Sequence, residues 1–292
     1  MKLVYHIGLH STDEDRALRC LLQNAEKLAE VGTIAPAPGQ FRPVLRQAMI
    51  HLRGAPASRH IQEQVLDEVI DHDTTERLLF SNDSFLCVPK RAITGGALYP
   101  LAEERAPWIR NLFPDDPAEF AFGIRNPATL IPALQARFAE EEDFAAYLAR
   151  IQPEDLSWAD MVARFQRAVP DCPLTIWCNE DTPLIWYDIL EALTSCPNAL
   201  ELEGVHEFHR TIMSEEGVER MERYFESHPS ENGEQRRRVI ATFLEEFATP
   251  EAVEEEYDLP GWTADRIARL SERYEADVAE VAAMEGVRFL RA

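Results

Sequence analysis

The stretch Lys2-Leu3-Val4-Tyr5-His6-Ile7-Gly8-Leu9-His10-Ser11-Thr12-Asp13-Glu14-Asp15-Arg16-Ala17-Leu18 passes from an apolar segment through a polar turn into a helical pattern. Its first seven residues are rich in β-branched and aromatic side chains and stop at a glycine, which reads as a buried strand. Beyond the turn, Leu18, Leu21, Leu22, Ala25, Leu28 and Ala29 recur at the spacing of one helical face, and Gly32 reads as a C-cap. A buried strand, a short polar loop and a helix make the opening unit of a parallel α/β sheet. Ligands of such sheets bind beyond the carboxyl ends of the strands, so the loop 8–16 is the first candidate site. A helix start there offers unpaired backbone N–H groups to an anion.

The same unit recurs. RLLFS (77–81), FAFGIR (120–125) and LTIWC (174–178) read as further strands, each running into a polar loop. Residues 35–43 read as a Pro-rich loop and 44–52, 61–70 and 184–193 as helices. Asn126 and Pro127 are suited to be the N-cap and first residue of another helix, with Leu130, Leu134 and Phe138 on its inner face. From about residue 205 the pattern is helical alone: 213–225, 239–247 and 262–284, the last striped by Ile267, Leu270, Tyr274, Val278 and Val281. The expected fold class is α/β, a parallel sheet of about four or five strands with flanking helices. It is expected as one domain over 1–292, with 205–292 a mainly helical C-terminal part.

Charge and composition narrow the partners. With 29 Lys+Arg against 52 Asp+Glu the formal net charge is −23, which disfavours nucleic acid, since phosphate binding needs clustered cations. Lys2, Lys27 and Lys90 are the only lysines, and every other basic residue is an arginine. No apolar run approaches the roughly 18 to 20 residues that cross a bilayer, so no membrane partner is expected. The apolar run 3–9, broken by His6, is too short for a secretory signal. Cys20, Cys87, Cys172, Cys178 and Cys196 are odd in number and contain no CxxC pair, which points to a reducing cytoplasm and away from a disulfide framework. The acceptor or protein partner is unknown at this level.

YHIGLHSTDEDRAL (5–18) resembles the start of bacterial sulfotransferases, in which a strand reading like YHIGLHKTGT leads through a phosphosulfate-binding loop into the first helix. FGIRNPATLIPALQARF (122–138) is similar to the family's second signature, a strand ending in Arg before a helix bearing a Ser, which together hold the donor's 3′-phosphate. LPGWTADRIARLSERYEADVAEVAAMEGVRFL (259–290) looks like the family's closing helix and its return to the sheet. The resemblance implies a P-loop-like, sulfotransferase-like fold and sulfuryl transfer from the nucleotide donor PAPS. Carried over by position, Ser11, Thr12 and Arg125 are donor-binding candidates, with Arg16 and Arg19 one turn on. Asp83, in the loop after the second strand, and His10 are candidates for the base that takes the acceptor's proton. Glu180 resembles a family carboxylate that orients other groups.

The departures from the family pattern are concentrated in the loop. Ser11 stands where the family has Lys, Asp13, Glu14 and Asp15 stand where it has Gly-Thr-Thr or Gly-Thr-Ser, and Ala133 replaces the Ser of the second signature. Two like charges 4 Å apart repel by about 1 kcal/mol in water and about 4 kcal/mol at the effective dielectric of a protein surface. Three carboxylates therefore face a polyanionic donor without the compensating lysine. The same residues read structurally as Ser11-Thr12-Asp13-Glu14, an S-x-x-E capping box that satisfies its own helix. Two functions follow as expectations: a non-catalytic binding or interaction protein with a degenerate donor site and no cofactor, or an active enzyme with a remodelled loop and PAPS as donor.

Other clusters read as structural. Asp13 and Asp15 are too close along one helix turn to share a metal, and no metal site is expected. His206 and His209 lack a third ligand and an HExxH helix, so they read as surface or hinge histidines. Arg236, Arg237 and Arg238 read as a solvated face paired with Glu231 and Glu234. The acidic run 251–258 reads as a solvated face or helix end.

Overall fold

In the computed structural model, which describes residues 1–70, 75–230, 232–250 and 257–292, β1 (Lys2–Gly8) runs through the middle of an all-parallel, six-stranded sheet. Its neighbours are β3 (Arg77–Ser81) and β6 (Ala118–Ile124), which set Phe80 and Phe120 opposite Tyr5. β2 (Thr33–Ile34) lies beyond β3, while β7 (Leu174–Cys178) and then β8 (Val287–Leu290) lie beyond β6, giving the order β2-β3-β1-β6-β7-β8. Strands covered on both faces must be apolar throughout, and β1, β3 and β6 are buried along nearly their whole length. The four strands read from sequence are all present. The sheet exceeds the expected size by β2, whose 2 residues are too short to carry a periodic signal, while the 4 residues of β8 are the return to the sheet that the resemblance of 259–290 implied. A separate two-stranded hairpin, β4 (Ile93–Thr94) with β5 (Ala97–Leu98), lies outside it.

The period of two along each strand sorts the interior into two cores. Leu3, Tyr5, Phe80, Phe120 and Phe122 belong to one, and Val4, Leu79, Ala121 and Trp177 to the other. The first core is covered by α3 (Pro38–Leu52), α4 (Arg59–Val69), α5 (Ala102–Arg110), α6 (Pro127–Ala136), α7 (Phe144–Ile151), α8 (Trp158–Ala168) and α13 (Ala264–Ala283). The second is covered by α1 (Arg16–Gln23), α2 (Ala25–Glu30), α9 (Thr182–Thr194), α11 (Glu215–Ser227) and α12 (Gly233–Phe247). The connection from β1 to β2 lies on the second face and those from β2 to β3, β3 to β6 and β6 to β7 on the first, as a uniform crossover handedness requires. Directions reverse at β1 and β6, so the crevice at their carboxyl ends is the topological switch point where α/β sheets bind ligands.

Local differences from the sequence reading have identifiable causes. The helix expected across 18–29 is two helices, because Asn24 leaves the helical path to bind Glu203: its Nδ2 donates to the Cys20 and Glu203 carbonyls at 2.8 and 2.9 Å, and its Oδ1 accepts from Glu203 N–H at 2.8 Å. Gly32 adopts φ +73°, the left-handed conformation expected of a C-cap glycine. The loop expected over 35–43 is shorter, since α3 already begins at Pro38 with Gln40 Oε1 accepting from Ala37 N–H at 3.0 Å. The Asn126 cap is as expected, its Oδ1 accepting from Ala128 N–H at 2.9 Å. Residues 251–256 of the acidic run lie outside the described residues, and no described helix is long and apolar enough to cross a membrane.

Packing across β6 yields a stability test. A Cβ on Gly123 would stand 2.9 Å from Trp177 Nε1, so Gly123→Ala is expected to cost about 1–3 kcal/mol by overpacking. Tyr5→Phe removes a buried hydroxyl that has no partner among the described residues and is expected to hold or raise stability. Urea unfolding midpoints of the two variants check both expectations.

Candidate functional site

At the end of β1 the chain coils tightly instead of opening into a glycine-lined cradle. Gly8, Leu9, Ser11, Glu14 and Asp15 all take left-handed conformations, with φ of 60°, 65°, 59°, 51° and 62°. Four of these are not glycine, so the loop is held against intrinsic preference by bonds made within it. The Thr12 hydroxyl lies 2.9 and 2.8 Å from the Gly8 and Leu9 carbonyl oxygens and donates inward. Arg125, at the end of β6, donates from Nη1 to the Ser11 carbonyl at 2.6 Å and from Nε to Thr129 Oγ1 at 3.0 Å.

The three acids of the loop separate. Asp13 is buried and its Oδ2 accepts from Ala17 N–H at 3.1 Å, so this side chain caps the first turn of α1. That corrects the capping box read from sequence: Ser11 makes no cap bond, because its left-handed backbone places it too early in the coil, and Asp13 takes the role. Asp15 pairs with Arg42 of α3 at 2.7 Å. Glu14 is exposed and lies 3.6 Å from Arg16, which also reaches the Asp13 carbonyl at 3.3 Å. Arg19 is exposed one turn further on.

His10 and Asp83 come together on the other side of the loop. The His10 backbone N–H and ring Nδ1 lie 2.9 and 3.1 Å from the Tyr99 hydroxyl, the two rings stack in parallel, and Nε2 has no partner. Burial lowers the His10 pKa to about 4, with Arg137 pushing the same way and Asp83 opposing. Asp83 Oδ2 accepts from Arg137 at 3.0 Å and Oδ1 from the Ser84 hydroxyl at 2.8 Å. Burial works to raise the Asp83 pKa, but the Ser84 hydroxyl and the charges of His10 and Arg137 hold it below the usual carboxylate value. Both groups are therefore weak bases at neutral pH.

Glu180 accepts from Asn126 N–H at 2.8 Å and from the Tyr274 hydroxyl at 2.7 Å. The Tyr274 hydroxyl lies 3.2 Å from the Ile124 carbonyl, and Trp158 Nε1 donates to the Arg125 carbonyl at 2.8 Å, so the end of β6 is fastened from two helices, α13 and α8. A cavity of about 850 Å³ opens at this point. Thr12, Arg16, Arg125, Thr129 and Glu180 line its polar side, and Phe208, Ile212 and Leu244 its apolar side. The polar side was legible in the sequence. The apolar side was not, because Phe208, Ile212 and Leu244 come from the C-terminal helical part and belong to no strand-loop-helix motif.

Two clusters read as surface features are interior. His209, on the short helix α10 (Glu207–Arg210), is fully buried with Nε2 on the Pro183 carbonyl at 2.9 Å, and His206 Nδ1 meets the Tyr187 hydroxyl at 2.7 Å. Their aromatic contacts with Tyr187 and Phe225 explain the burial, and no group of three or more metal-ligating residues occurs among the described residues. Arg236 is buried between Asp188 and Glu191, both at 2.8 Å, and Arg237 pairs with Asp188, so only Arg238, paired with Glu234, lies on a solvated face. Glu231 lies outside the described residues.

No family model and no curated protein matches the sequence. By structure the chain is similar to a sulfotransferase from Alicyclobacillus acidocaldarius, at 12% sequence identity and a TM-score of 0.40, over 96% of this chain and 94% of that one.

The buried imidazoles give the protein a pH signature. Burial lowers His10, His206 and His209 each to about 4, so in this window the unfolded chain binds protons that the native state does not. Stability is fully retained above an unfolded histidine pKa of about 6.5 and is lost as pH falls toward 4, by up to about 1.4 kcal/mol per pH unit for each histidine. Urea unfolding at pH 7, 6 and 5 measures the slope; a flat profile contradicts their neutral burial.

Proposed function

We propose that this chain is a sulfotransferase-like protein whose donor loop has closed on itself, so that it acts by binding a ligand or partner and does not transfer sulfuryl groups from PAPS. One observation carries the reading: the Asp13 carboxylate already accepts from the first turn of α1 while Arg125 is engaged by the Ser11 carbonyl. Two groups that could grip a phosphate, the Arg125 side chain and the Ala17 N–H, are turned to internal use, and an internal anion sits at the helix start. A like charge at about 4 Å costs about 4 kcal/mol near a protein surface, and a missing charge-assisted hydrogen bond about 1.5–3 kcal/mol. A micromolar ligand is held by about 8 kcal/mol, so losses of this size reduce PAPS to millimolar binding or weaker. The five cysteines are all free, which supports a place in the reducing cytoplasm.

A second reading, an active group-transfer enzyme with a remodelled loop, is favoured by a different observation. The backbone N–H groups of Ser11 to Asp15 bond to no protein acceptor among the described residues, and Arg16 and Arg125 both reach the neighbouring cavity. In that reading Ser11, Thr12, Arg16, Arg19 and Arg125 hold the donor and Asp83 or His10 takes the acceptor's proton.

Calorimetry with PAPS, PAP, ATP and sulfate separates the two. The wild-type chain is expected to give no binding heat, and the variant Ser11→Lys, Asp13→Gly, Glu14→Thr, Asp15→Thr to gain PAPS and PAP binding. A micromolar dissociation constant for PAPS on the wild-type chain overturns the first reading and supports the second.

A further inference from the structure

A second cavity, about 520 Å³, lies between α3, the loop 82–91 and the start of α5, and it shares no lining residue with the one at the donor loop. Its wall carries Arg42, Arg46, Arg91 and Arg105 and no carboxylate. In a chain with 52 acidic residues and a net charge of −23, such a concentration of one sign is the reverse of the surrounding surface. Arg46 and Arg91 are exposed, and their side chains make no ion pair or hydrogen bond among the described residues. The Arg105 guanidinium carbon lies 3.7 Å from the centre of the Trp108 ring, and Arg105 pairs with its neighbour Glu104 at 3.7 Å. Arg42 is held by Asp15 and the Ser81 carbonyl, and its buried Nε has no acceptor among the described residues. The guanidinium groups thus keep unused donor capacity around one opening.

Between them the cavity is apolar. Phe85 and Leu86 are buried, Met49 and Leu101 add to the lining, and Ile50 and Val88 stand at its edge 52% and 55% exposed. Ile50 and Val88 are two of the four large apolar side chains most exposed on the described surface, and both fall at this one opening. A free inorganic anion would leave that apolar surface in water, and a neutral apolar ligand would leave the arginines unpaired. A ligand with both parts satisfies both.

We propose that this cavity binds a single-chain amphipathic organic anion, its carboxylate, sulfate or phosphate head among Arg46, Arg91 and Arg105 and its chain against Phe85, Leu86 and Val88. The site deepens the reading of the chain as a binding protein. It does not depend on the state of the donor loop, because binding here is measured without PAPS and without turnover. The occupant is a free amphiphile and not a bilayer, since the strongly acidic remainder of the surface repels an anionic membrane.

Cys87 lines the cavity and is the one partly exposed cysteine, the other four being buried, so its modification reports occupancy. Burial raises its pKa to about 12, so labelling is slow and methyl methanethiosulfonate, a small reagent, is suited to it. With the intact wild-type chain, sodium decanoate at about ten times its dissociation constant is expected to slow Cys87 labelling about tenfold, read by mass spectrometry. Decanol, decyltrimethylammonium and inorganic phosphate are each expected to bind about tenfold more weakly or worse. Arg46→Ala with Arg91→Ala is expected to weaken decanoate by about tenfold or more, through the loss of two cationic neighbours of the head, with an unchanged urea midpoint because neither side chain has an ion pair or hydrogen bond to lose among the described residues. Val88→Asp is expected to weaken it likewise, and Arg238→Ala, on a distant solvated face, to leave it unchanged. The proposal is overturned if decanol or decyltrimethylammonium binds as tightly as decanoate, if phosphate alone matches it, if Cys87 is not shielded, if the double variant binds normally, or if only phosphatidylglycerol vesicles are bound.

Discussion

Arg125 donates to the Ser11 carbonyl where the sheet changes direction, and that bond ties the end of β6 to the loop after β1. A guanidinium that is 8% exposed needs acceptors for its donors, and a carbonyl in a left-handed coil needs a donor it cannot find in a regular element. Each solves the other's problem. The bond holds the coil closed, the coil presents Asp13 to Ala17, and α1 starts where it does because its first turn is capped from within. The carboxyl ends of β1 and β6 are thus joined through protein groups at the place where many α/β proteins join them through a ligand.

Sequence pattern was informative where burial imposes a period. β1, β3, β6 and β7 are fully or nearly buried runs of five to seven residues, and runs of that kind bounded by polar loops leave few alternatives. β2 has no such signature, and Thr33 and Ile34 pair with a strand already in place; β8 has none either and was anticipated only by the resemblance of 259–290. Asn24 illustrates a third case. Nothing in its neighbourhood announces that Glu203 will be adjacent, so the division of one helix into two is a tertiary effect on a helical sequence.

The site divides in the same way. The change of charge in the loop was legible from Asp13, Glu14 and Asp15 standing at glycine and threonine positions, but their fates were not, because they separate by partner: the Ala17 N–H for Asp13, Arg42 for Asp15, and Arg16 at the exposed surface for Glu14. The basic cavity is legible from no motif at all. Arg46, Arg91 and Arg105 are scattered across α3, the loop after β3 and α5, and only the packing of those elements brings them to one opening. Conversely Arg236 and Arg237 look like a cationic cluster in sequence and are absorbed by Asp188 and Glu191. Adjacency in the chain was a poor guide to where positive charge is available.

The position of β1 has a consequence for how the chain reaches this state. Leu3 acquires Leu78 on one side and Ala118 on the other, so neither edge of the central strand can be closed by local chain, and closure entropy for both long segments falls due before the ladder returns anything. Until then Tyr5, Phe80 and Phe120, which stack on one face of the finished sheet, belong to separate aromatic segments with open backbone edges. The same non-local pairing that gives the native protein its rigid centre makes the collapsed, incompletely zipped chain the species most exposed to self-association.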